Sequence, residues 1–182
     1  MGKSFIHKGQ RGFTLIELLI AIAITGVIAG GITMTIMQVF NINTRTSGDM
    51  TAVRQVQQAG FWVSPDVQMA QSVNASGSQG FPLILTWTEI GGNHTVHKVI
   101  YTLVDMSGGL ERLERDHYIG NETSPDSTTI VAEYIDPDPA KTSCKPLGPL
   151  QPGVALNFTV TATLGGRSET RVYEVEPRPG SQ

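Results

Sequence analysis

Apolar and polar positions divide this chain into stretches of different period. From Phe13 to Phe40 there are 28 residues, apolar or small on every face, and Glu17 is the only ionisable one. A segment apolar all round is a buried or membrane-spanning helix, and about 20 such residues cross a bilayer. Beyond Phe40 a one-sided pattern begins. Met50, Val53, Val56, Gly60, Val63, Val67 and Ala70 follow in steps of 3 and 4, while Arg45, Asp49, Arg54, Gln55 and Gln58 fall off that stripe. This spacing predicts an amphipathic helix over 41–72, with its stripe against a sheet. Pro65 removes the hydrogen bond to the Phe61 carbonyl. The stripe keeps its phase from Val63 to Val67, which favours a kinked continuous helix over a new one capped by Ser64.

From 73 to 176 the pattern predicts antiparallel strands. Phe81–Glu89 and Thr95–Asp105 flank Gly91-Gly92-Asn93, a hairpin turn; Leu110–His117 and Thr128–Ile135 follow. Val154, Leu156, Phe158, Val160, Ala162 and Leu164 alternate with Ala155, Asn157, Thr159, Thr161 and Thr163, a half-buried strand that Gly165-Gly166 turns into Ser168–Glu176. Asp136–Gly153 holds Pro137, Pro139, Pro146, Pro149 and Pro152, too many for a central strand; it is expected to be a surface loop. Residues 177–182 form a tail. The fold class expected is α+β: a long, partly transmembrane N-terminal helix packed on an antiparallel sheet.

The head of the apolar run reads Arg11-Gly12-Phe13-Thr14-Leu15-Ile16-Glu17-Leu18, preceded by Lys3 and Lys8 with no acid. A carboxylate at the centre of a bilayer costs roughly 2.5–3.5 kcal/mol even on the mildest scale, which marks Glu17 as functional. An ordinary secretory signal has a shorter apolar region followed by its cleavage site. A plain signal anchor leaves the Gly-Phe junction and the Glu offset unexplained. The basic leader is expected to stay in the cytoplasm.

Gly12, Phe13 and Glu17 match the type IV prepilin signal, in which a basic leader ends in Gly, the mature chain begins at Phe, and a Glu lies four residues beyond. The chain resembles the type IV pilin-like family on these residues. The resemblance implies cleavage between Gly12 and Phe13 by a prepilin peptidase, N-methylation of Phe13, and a role for Glu17 in pairing between or within subunits. It implies a single-pass inner-membrane protein, held in lipid before assembly, that joins a cell-surface or periplasmic filament. Its partners would be other pilins or minor pseudopilins and an inner-membrane assembly platform. The segments expected are a leader at 1–12, a membrane and filament-core helix at 13–40, the amphipathic helix at 41–72 and the sheet domain at 73–176. A second resemblance lies in Ala59–Val73, with Asp66-Val67-Gln68-Met69-Ala70, in Val99-Ile100-Tyr101-Thr102-Leu103, and in Gly109-Leu110-Glu111-Arg112. These are similar to the late helix, the Tyr-containing strand and the following Leu-x-Arg of PilW-like minor pilins and J-type minor pseudopilins. That similarity implies a subunit near a filament tip; a major pilin of the shaft and a competence pseudopilin are the alternatives.

Charge and the remaining chemistry narrow this further. The formal charge is −3, and removing Lys3, Lys8 and Arg11 with the leader takes it to −6, which disfavours general nucleic-acid binding. Cys144 is the sole cysteine, so no intrachain disulfide forms; it reads as a spectator thiol in the Pro-rich loop. His94 and His97, three apart on a strand, would face opposite ways, and with His117 elsewhere the three read as surface histidines. Asp136 and Asp138 fall short of a calcium ligand set. Neither a phosphate loop nor a nucleophile elbow is present. No cofactor, no metal and no enzymatic activity are expected. Gly26, Gly30 and Gly31 leave two readings open: tolerance of Gly in a membrane helix, with Gly26 and Gly30 permitting close helix approach, or a soft spot where the helix stretches.

Overall fold

The computed structural model describes residues 12–89, 94–148 and 154–177. The leader before Gly12, the Gly91-Gly92-Asn93 turn, residues 149–153 of the Pro-rich segment and residues 178–182 of the tail lie outside the described residues. Helix α1 runs Leu15–Met69 and continues through Pro65. The chain divides into two units, Met1–Thr44 and Arg45–Gln182, taken in turn.

In the first unit every side chain from Gly12 to Thr44 is exposed. The hydroxyls of Thr25, Thr33 and Thr35 donate to the carbonyls of Ala21, Ala29 and Gly31 at 2.8, 2.8 and 2.9 Å. Each polar group is thereby satisfied within its own helix, which is what makes threonine tolerable in apolar surroundings. A methyl group at Gly26, Gly30 or Gly31 would meet open space.

In the second unit α1 buries Ala52, Val56, Ala59, Gly60, Val63, Asp66 and Val67. The line therefore begins at Ala52. Met50 is 68 % exposed, because it lies two residues, about 200°, around the helix from Ala52. Val53 is half-buried. Small residues bring the helix close: a methyl at Gly60 would clash with the Tyr173 ring, whose hydroxyl donates to the Val56 carbonyl at 2.9 Å.

Eight strands follow: β1 Ser72–Ala75, β2 Leu83–Thr88, β3 Val96–Asp105, β4 Glu111–Ile119, β5 Ser127–Ile135, β6 Ser143–Pro146, β7 Leu156–Leu164 and β8 Arg167–Val175. They make one antiparallel sheet in the order β1-β2-β3-β4-β5-β7-β6, with β8 on the other edge of β7. β5 joins β7 through Ile135 and Ala162 alone. The sheet curls until the Cys144 N–H donates to the Gln79 carbonyl, beyond β1, at 2.7 Å. Two register shifts between β4 and β5 bury Val131 and Ala132 side by side, breaking the alternation a regular strand would show.

Of the helix stripe and the alternating strand expected to be buried, Val56, Val63, Val67, Leu156, Phe158 and Val160 are buried, and Leu85 of β2 joins them. The Pro-rich segment is not wholly a surface loop. Its middle forms β6, and Thr142, Ser143 and Cys144 are buried. β6 lies at the end of the sheet path and closes on Pro146, where a missing N–H is harmless. Thr161, expected to face outward, is also buried. Its hydroxyl donates to the Lys141 carbonyl at 2.8 Å, so the start of the Pro-rich segment covers it.

Candidate functional site

The head of α1 is built by its own residues. Thr14 stands at the N-cap, its carbonyl accepting from the N–H groups of Glu17 and Leu18 at 3.1 and 3.2 Å. The Thr14 hydroxyl accepts from the Glu17 N–H at 3.4 Å, and the Glu17 carboxylate accepts from the Thr14 N–H at 3.4 Å. This reciprocal pair is a capping box, worth about 0.5–2 kcal/mol to a helix in water. Glu17 therefore has a local role in starting the helix. The sequence carried its signal, Thr-x-x-Glu ahead of an apolar run. Phe13, 86 % exposed, and Gly12, with nothing within 4 Å of a methyl built there, precede the cap as an open segment.

In the second unit a buried polar group joins helix to sheet. Asp66 accepts from the Tyr101 hydroxyl at 2.5 Å, from Arg115 Nε at 2.6 Å and from Arg115 Nη2 at 3.1 Å. Asp66 and Arg115 are 4 % and 9 % exposed, and the guanidinium lies 5.3 Å from the centre of the Trp62 ring. Burial, then the charge of Asp66, pushes the Tyr101 phenol far above its ordinary range. Burial alone would loosen the Arg115 proton, but Asp66 outweighs it and holds the guanidinium more firmly charged. Asp66 and Tyr101 come from the strings singled out in the sequence. The arginine that meets them is Arg115, in the second Leu-Glu-Arg; Arg112 projects from the opposite face of β4, 2.6 Å from Glu114.

The histidines separate differently from expectation. His94 is exposed ahead of β3 with φ 49°, whereas His97 and His117 meet across β3 and β4, Nδ1 to Nε2 at 3.1 Å. Strand pairing, invisible in a linear spacing, brings them onto one face. Cys144 is buried, and burial pushes its thiol up to about 12.

Among the described residues α1 is long and apolar enough to cross a membrane. A family model for the prokaryotic N-terminal methylation motif matches residues 7–33, a span that includes Gly12, Phe13 and Glu17. The chain carries a prepilin-type signal. With the long apolar helix and the curled antiparallel sheet behind it, this is an α+β, pilin-like architecture. No curated protein and no solved structure matched the chain.

Proposed function

We propose that this chain is a minor pilin or pseudopilin, a structural subunit and not an enzyme, that helps to start or cap a type IV pilus or type II secretion pseudopilus. The observation that carries the reading is the methylation motif at residues 7–33, leading into a helix that is exposed as far as Thr44 and apolar as far as Phe40. Such a surface is stable in lipid before assembly and against other apolar helices afterwards. In this reading prepilin peptidase cuts between Gly12 and Phe13, the new amine of Phe13 is methylated, and the leader stays on the cytoplasmic side. Glu17 then has two candidate partners, its own cap and a free amine. A charge in low dielectric needs a partner, so the released amine competes with Thr14 for the carboxylate.

The minor role is supported by the similarity of the strings around Asp66 and Tyr101 to those of tip subunits. Intact-mass analysis of membrane extracts and quantitative mass spectrometry of sheared filaments test the proposal together. A mature chain of 170 residues starting at methylated Phe13, present as a small fraction of filament protein, is expected. Glu17→Ala should insert and be cleaved yet enter filaments poorly. A chain that keeps residues 1–12 sinks the processing step, and dominance of this chain in the filament makes it the major pilin.

A further inference from the structure

His97 and His117 stand on neighbouring strands with Trp87 beside them. The Trp87 ring is parallel to both imidazoles within 11°, its centroid 5.4 Å from His97 and 6.2 Å from His117. The three rings hold one another in orientation at the end of the core face that carries Leu85, Val99 and Arg115. The facing nitrogens, Nδ1 of His97 and Nε2 of His117, are 3.1 Å apart. Two nitrogens on one tetrahedral zinc ion, each about 2.0–2.1 Å from it, stand roughly 3.3–3.4 Å apart. The far nitrogen of His97, Nε2, looks at the Glu89 carboxylate from 3.8 Å. No hydrogen bond joins them at that distance, but a carboxylate on the outer nitrogen is the usual companion of a metal-ligating histidine, and closing the gap would fix the tautomer of His97. The neighbouring charge of Arg115 is balanced by its two bonds to Asp66.

From this arrangement we propose that His97 and His117 form a two-imidazole site for a divalent transition-metal ion of the zinc and copper class, with Glu89 orienting His97. Small ring rotations open the existing nitrogen-to-nitrogen contact around the ion. Among the described residues no three His, Cys, Asp or Glu side chains converge as a ligand set, so the remaining positions go to water and the ion exchanges readily.

The test is a titration of the full chain in detergent micelles with Cu²⁺ alone, read by tryptophan emission, followed by displacement with Zn²⁺ alone. Copper binds such sites more tightly than zinc and quenches a neighbouring indole. Saturation at one equivalent, reversal by excess Zn²⁺, and loss of the quenched component in Trp87→Phe are expected. His97→Gln and His117→Gln should each abolish saturation, Glu89→Gln should weaken binding about tenfold, and His94→Gln should leave it unchanged. Saturable quenching that survives in both histidine variants overturns the proposal, as does its absence from the wild type. Should the histidine variants fail to fold, unaltered affinity in Glu89→Gln, on an exposed side chain, overturns it instead.

Discussion

Asp66 lies among the residues that α1 buries, and Arg115 and Tyr101 close over it. Removing one member leaves the others buried and unpaired, which costs about 3–5 kcal/mol. Asp66→Leu or Arg115→Met should therefore lower the denaturation midpoint sharply. The double variant Asp66→Leu/Arg115→Met, apolar on both sides, should lose less than the sum of the singles in a double-mutant cycle. Additive losses would show that the ions contribute separately. The sequence displayed these residues without their meaning. Asp66 is one acid in a helix and Arg115 one of two arginines on β4; the β3–β4 register sets Arg115 beside Tyr101, and only the packing of α1 on the sheet brings Asp66 to both. Glu17 is the opposite case. Its cap lies within four residues, so local spacing carried it in full.

At the scale of elements, the helix was legible because 28 apolar residues and a 3.6-residue stripe admit few alternatives. Six of the eight strands lie where period-two runs and glycine turns place them. β1 and β6 were not legible: each is four residues long, too short for a period, and β6 lies among prolines. The start of the stripe was misplaced because Met50 looks like a core residue while Ala52 does not, although close packing of a helix on a sheet favours the smaller side chain. Gly60 marks that closeness. Gly60→Ala forces its methyl into Tyr173, and overpacking of this kind costs about 1–3 kcal/mol. A thermal melt of the variant checks this. Addition of Tyr173→Phe should not restore stability, since the ring atoms, nearer than the hydroxyl, still occupy the space.

At the scale of the whole molecule, the division near Thr44 separates a surface made for lipid or other helices from one that closes its own core. A fragment beginning at Arg45 should be soluble and should melt in one cooperative transition by circular dichroism. Aggregation in every buffer or a non-cooperative melt would mean that the sheet needs the preceding helix. That fragment keeps Cys144, a residue of β6 whose side chain is wholly buried. A thiol so placed cannot meet another while the sheet is closed. Any disulfide-linked pair of these chains is therefore a record of past unfolding, and the fraction of such pairs in a sample taken from cells measures how often the domain failed to fold or came apart on its way out.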